Sequence, residues 1–161
     1  MIRAVLVVGW IGMALLLWTA VTGYQVAGED AAQQHLVLAL FPSGALLFAD
    51  LCLLIYLGGT LRLVRRTAAE LALGAEWRAE QRRLSRGLVW WAAAAALALV
   101  VLFASGFPLY TQTWPAWVHH AGFALTAVLH AIVLLLAGPA LRRGEARLAA
   151  LGEAAAAAGA D

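Results

Sequence analysis

The stretch RLVRRTAAELALGAEWRAEQRRLSR, residues 62–86, decides how this chain folds. It contains Arg62, Arg65, Arg66, Arg78, Arg82, Arg83 and Arg86. Apolar runs bound it on both sides: LVLALFPSGALLFADLCLLIYLGGTL at 36–61 and GLVWWAAAAALALVVLFASGF at 87–107. Two more such runs lie further out, at 4–24 and 117–141. Each is about 20 residues or longer, enough at about 1.5 Å per residue to cross a hydrocarbon layer about 30 Å thick. A basic segment between two such runs reads as a cytoplasmic connection between membrane helices.

The other charges obey the same rule. All 11 basic residues are arginines. Arg3 precedes the first run, and Arg142, Arg143 and Arg147 follow the fourth. The first and third connections hold no basic residue, only Glu29 and Asp30. The positive-inside rule therefore places both termini and residues 62–86 in the cytoplasm. The expected fold is all-α: an integral membrane, antiparallel four-helix bundle, N-in and C-in. Residues 1–143 form its transmembrane domain and 144–161 an alanine-rich cytoplasmic tail.

Composition agrees. The chain is 64% hydrophobic and 12% charged, against about a quarter charged in a soluble domain. A chain of this size cannot hide that much apolar surface from water, so lipid must solvate the outside of the helices. The net charge of +2 carries little information because the charges are segregated. The first run exceeds a signal-peptide core and reads as a membrane helix. Abundant alanine and arginine with no lysine suggest a high-GC bacterial genome, hence a multi-pass protein of the bacterial inner membrane.

Within the basic segment, Leu73, Trp77, Leu84 and Leu88 recur at spacings of four, seven and four, one stripe of a helix. The expectation is that helix two continues out of the bilayer and breaks near Gly74. An amphipathic cytoplasmic helix then lies against the interface or packs on a partner subunit. Pro42, in the second turn of helix two, predicts a kink near its outer end. Residues 92–96, all alanine, suit close approach of another helix. No internal repeat stands out beyond the hairpin plan the two halves share.

Five ionisable side chains fall at or inside the bilayer: His35, Asp50, His119, His120 and His130. Intramembrane ionisable groups are costly and point to function. His35 begins helix two, and His119 and His120 begin helix four. Both helices run from outside to inside, so these imidazoles share a level near the outer face. Two imidazoles from different helices at one level are what a b-type haem requires as axial ligands. His119 and His120 differ by about 100° around the helix, so at most one points at such a haem. Phe41 and Phe123 would suit the porphyrin faces. His130 lies eleven residues past His119, close to three whole turns, which favours His119 as the inward residue and leaves His120 as the alternative ligand. Helix two has Leu46, not histidine, at the level of His130, so a second bis-histidine haem is not supported. Asp50 is the nearest polar group on helix two. An Asp50–His130 pair would offset part of the cost of each and could pass a proton or hydrogen-bond a quinone. The plainer readings are interfacial anchoring for the outer histidines and a structural polar contact for Asp50 and His130.

Other chemistries lack their residues. Cys52 is the single cysteine, so neither an internal disulfide nor a multi-cysteine metal site can form. There is no phosphate loop, no H-E-x-x-H motif and no CxxC. Ser43, Ser85 and Ser105 lack a His and carboxylate set for nucleophilic catalysis. Beyond the basic loop, nothing points to nucleic acid. The plan resembles that of small cytochrome b subunits that anchor redox enzymes: histidines at membrane-level helix positions and few residues outside. The likeness is one of architecture and assigns no residue a role.

The functional expectation is a small membrane subunit of a larger energy-transducing or redox complex, not catalytic alone. It would anchor partner subunits and hold one b-type haem near the outer face, with quinone a further partner. The alternatives are a homo-oligomeric transporter or channel using Asp50 and His130, and a structural membrane protein with no cofactor.

Overall fold

The computed structural model describes residues 2–23, 29–110 and 114–158. They form four α-helices: α1 (Ile2–Gly23), α2 (Glu29–Glu70), α3 (Ala75–Tyr110) and α4 (Ala116–Ala158). No strand occurs among the described residues. All four helices are long and apolar enough to cross a membrane. Of the polar connections between the apolar runs, residues 29–34 belong to α2 and 108–110 to α3; residues 24–28 and 111–113 lie outside the described residues, as do 159–161 of the alanine-rich tail.

Helix length already shows where the extra chain goes. At about 1.5 Å per residue, α1 is a single membrane crossing, whereas α2, α3 and α4 are each about 20–35 Å longer than a 30 Å layer. Their excess carries the arginines, so the three helices project beyond the apolar zone at that end. Residues 62–70 are the last turns of α2, and 75–86 are the first turns of α3. The break near Gly74 occurs as expected. A separate amphipathic helix does not form, because α3 runs unbroken from Ala75 into its apolar stretch. Alanines at 92–96 and good helix formers on both sides of residue 87 give it no reason to stop.

The turn between α2 and α3 is a Schellman cap. The Leu73 N–H donates to the Ala68 carbonyl at 2.9 Å and the Ala72 N–H to the Ala69 carbonyl at 3.3 Å. Ala72 takes the left-handed conformation, φ 51°, that this cap demands and that glycine supplies more cheaply.

As the chain advances along α1 from Gly9 through Gly12 to Gly23, its neighbours on α2 recede from Ala49 through Ala45 to His35. Each helix packs on the next in sequence, and α4 closes the ring on α1. α2 and α4 also meet across the middle, whereas α1 and α3 do not touch among the described residues. Glycine permits the close approach of α1. A Cβ at Gly9 would fall 2.6 Å from Leu134 Cδ2, and one at Gly12 would fall 3.1 Å from Leu46 Cγ.

Two apolar layers fill the interior. Met13, Leu16, Leu46, Leu99, Leu102 and Leu134 form one, toward the histidine end. Leu53, Leu57, Leu88, Ala92, Ala95, Val133, Ala137 and Leu141 form the other, toward the arginine end. The alanines at 92 and 95 are completely buried, the close contact their run implied. Much of the apolar surface faces outward instead: Trp10, Trp18, Phe41, Ile55, Leu97, Val101 and Leu135 are exposed. Contiguous exposure on this scale is incompatible with water as the surrounding solvent.

Polar contacts tie the arginine end together. The Arg147 guanidinium donates to the Trp77 carbonyl at 3.0 Å and to the Glu76 carbonyl at 3.3 Å, and it pairs with the Glu80 carboxylate. It also lies over the Trp77 ring, 5.0 Å from its centroid. Trp77 is thus half-buried beneath α4, and Leu88 belongs to the core. The Leu84 side chain lies outside the described residues. Buried Gln81 reaches Thr60 Oγ1 on α2 at 3.5 Å and Ser85 Oγ at 3.4 Å, a looser tie.

Candidate functional site

Two groups of ionisable side chains lie along the bundle, each with members on the diagonal helices α2 and α4. At the histidine end, His35 sits in the second turn of α2 and His119 at the start of α4. Counted along the helices from Asp50 and His130, His35 stands about 22 Å away and His119 about 16 Å, an offset of about 6 Å. His119 is half-buried, whereas His120 is on the exposed face. His120 nonetheless has an interaction of its own.

The hydrogen bonds of His119 fix its tautomer. Ser105 Oγ donates its one proton to the Leu102 carbonyl at 2.7 Å. Ser105 Oγ is also 3.1 Å from His119 Nδ1. A hydroxyl has a single proton to give, so in this contact Nδ1–H donates and the oxygen accepts. A neutral His119 therefore keeps a bare lone pair on Nε2, the state in which imidazole binds a metal.

His35 is packed differently. Its Nδ1 is buried with no hydrogen-bond partner. Gly23, the last residue of α1, lies against the ring so closely that a Cβ there would sit 2.7 Å from Cε1. Gly106 on α3 flanks His119 in the same manner but more loosely, at 4.0 Å. In each hairpin, then, a glycine of the first helix faces the imidazole of the second. Phe123 packs on the neighbouring apolar layer, but Phe41 points out of the bundle and cannot face a group held between α2 and α4.

The second group lies midway along the apolar zone. His130 Nε2 is 3.2 Å from Asp50 Oδ2, with both side chains buried. The distance is that of an ion pair, but the contact is off-axis and neither atom has a well-aligned hydrogen bond. His130 Nδ1 is 2.9 Å from the Thr126 carbonyl. The Thr126 hydroxyl, also buried, has no partner. On α2, Asp50 is flanked by Leu46 of one apolar layer and Leu53 of the other.

Sequence reasoning located all five ionisable residues but missed the groups that orient them. Ser105 and Thr126 gave no signal, because a lone hydroxyl in an apolar run has many possible partners. Gly23 gave none either, because a glycine at the end of an apolar run marks only where a helix can stop. A positional correspondence between the two hairpins also gave no signal. At one constant spacing, Trp10 corresponds to Trp90, Leu46 to Thr126, Asp50 to His130, Leu53 to Val133, Leu57 to Ala137, and Leu61-Arg62 to Leu141-Arg142. Few of these are identical, so the correspondence emerges only from burial: Leu46, Asp50, Leu53 and Leu57 are buried, and so are their four counterparts.

Among the described residues, no three or more His, Cys, Asp or Glu side chains converge as a metal-ion site. A haem needs only two protein ligands. Comparison with protein-family models, with curated proteins and with solved structures finds no match for this chain.

Proposed function

We propose that this chain is a small integral membrane subunit of a redox or energy-transducing complex and that it holds one b-type haem between His35 and His119. The bundle sits antiparallel in a bacterial inner membrane, with both termini and the arginine end in the cytoplasm. Complete segregation of arginine supports this orientation. The haem then lies near the outer face.

The observation that carries the reading is the Ser105–His119 hydrogen bond. It holds the ring through Nδ1 and leaves Nε2 unprotonated, and a second half-buried imidazole stands on the diagonal helix about one turn from the same level. Orienting a ligand histidine through its other nitrogen is the usual arrangement at metal centres. His35 completes the donor set, and Gly23 leaves its ring space that any side chain would fill. A bound haem would supply one-electron transfer at that level. The protein's own part is to hold two neutral imidazoles and to keep water from them with the layer of Met13, Leu16, Leu46, Leu99 and Leu102.

The arginine end fits a docking role. Arg62, Arg65, Arg78, Arg82, Arg83 and Arg86 are exposed on helices that project beyond the apolar zone, available to anionic headgroups or an acidic partner subunit. The transporter reading needs Asp50 and His130 to line a path. They instead occupy the interior of one chain with apolar layers on both sides, which favours a subunit. Their burial, 4% and 1% exposed, also leaves a lipid-borne quinone no surface to approach.

The test is a reduced-minus-oxidised visible spectrum of protein purified in mild detergent from its native membrane. The expected result is a sharp α-band and a Soret peak at one haem per chain, with partner subunits co-purifying. A well-folded sample with no haem absorbance would exclude the cofactor.

A further inference from the structure

We propose that Asp50 and His130 form a binding site for one proton, shared between Asp50 Oδ2 and His130 Nε2, and that the folded chain holds neither fewer nor more protons there. The inference starts from the opposite side of the imidazole. His130 Nδ1 lies 2.9 Å from the Thr126 carbonyl oxygen. A carbonyl only accepts, so Nδ1 carries a hydrogen. The protonation of Nε2 is then the open question, and Asp50 Oδ2 stands 3.2 Å from it, near enough for one proton to serve both although the contact is off-axis.

Three states are conceivable. With no proton between them, the Nε2 lone pair faces carboxylate lone pairs, and a net negative charge is stranded in the bundle. With two, an acid O–H faces an imidazolium N–H, and a net positive charge is stranded. With one, a donor meets an acceptor and the pair is neutral overall. That holds whether the proton rests on nitrogen, as an ion pair, or on oxygen, as two neutral groups. Passage between these two forms moves a proton across the contact without changing the total charge of the pair.

The surroundings enforce the choice. Asp50 and His130 are the only buried side chains among the described residues that can carry charge; the other buried polar residues are Thr, Ser and Gln. The two apolar layers on either side of the pair draw on all four helices: Met13 and Leu16 of α1, Leu46 and Leu53 of α2, Ala95 and Leu99 of α3, Val133 and Leu134 of α4. Among the described residues no third buried group can carry charge to neutralise an excess of either sign, and burial in a low-dielectric layer penalises uncompensated charge heavily. The equivalent positions of Asp50 and His130 in the two hairpins explain how they come to face each other: α2 and α4 meet across the middle of the ring. The inference stands whether or not the outer histidines hold a haem.

Magnetic resonance of the full chain in lipid nanodiscs, labelled with 15N-histidine and 13C-aspartate, reads both partners at once. The supporting results are a protonated Asp50 carboxyl with an unprotonated His130 Nε2, or an ionised carboxyl with both His130 nitrogens protonated. An ionised carboxyl beside a bare Nε2, or a protonated carboxyl beside a doubly protonated ring, would overturn the proposal. Asp50→Asn gives a second reading. Its amide donates to Nε2 without a shared proton, so His130 should be neutral, with hydrogen on Nδ1 alone. A doubly protonated ring in this variant would count against the proposal.

Discussion

His130→Leu is expected to destabilise the bundle by about 3–5 kcal/mol, the usual cost of removing one partner of a buried ionic pair. Asp50→Leu should cost less, about 1–3 kcal/mol, the penalty of one buried unsatisfied group. The asymmetry follows from the Thr126 carbonyl. Without Asp50, His130 can stay neutral, keep its Nδ1–H bond and lose only a partner for Nε2. Without His130, the Asp50 carboxyl loses its one ion-pair partner among the described residues. The double variant, leucine at both positions, should regain most of the loss, since apolar replacement of a buried pair is often neutral or stabilising by about 1–4 kcal/mol. Reversible unfolding in detergent, measured for all three variants, checks this. A loss in the double variant equal to the sum of the two single losses would mean that the pair is not coupled.

At the histidine end the expected effects are all-or-none. His35→Ala and His119→Ala should each abolish the haem spectrum, whereas His120→Ala should leave it largely intact, because His120 lies on the exposed face. Ser105→Ala should retain the ligands but weaken haem retention about 10–100-fold, the usual cost of removing an orienting hydrogen bond from a ligand histidine. Gly23→Ala should weaken it as well, by pressing on the His35 ring. Haem titration of the stripped variants measures each effect. Loss of the spectrum in His120→Ala with retention in His119→Ala would mean that the wrong face of α4 had been assigned.

The helices were readable from the sequence because lipid demands long uninterrupted apolar runs and because arginine marks their ends. The break near Gly74 was readable for the same local reason, although Ala72 rather than Gly74 takes the left-handed turn position. What the sequence hid was rotation. A membrane helix is apolar on all sides, so no amphipathic stripe shows which face turns inward. The choice of His119 over His120 rested instead on its register with His130. Phe41 shows the failure of the same reasoning, since an aromatic residue near a histidine in sequence points away from it in space. The continuity of α3 through residue 87 was hidden for another reason. Charge marks where a helix leaves the apolar zone, not where it ends.

Both sites take their depth from the orientation of the four helices, so accessibility labelling tests the account most directly. Single cysteines at Glu76 and at Trp114, on a Cys52→Ala background, would be probed in intact cells with a membrane-impermeant thiol reagent. The expected result is labelling at position 114 from outside and at position 76 only after the membrane is opened. Labelling at position 76 in intact cells would reverse the topology and with it the placement of the histidine end at the outer face.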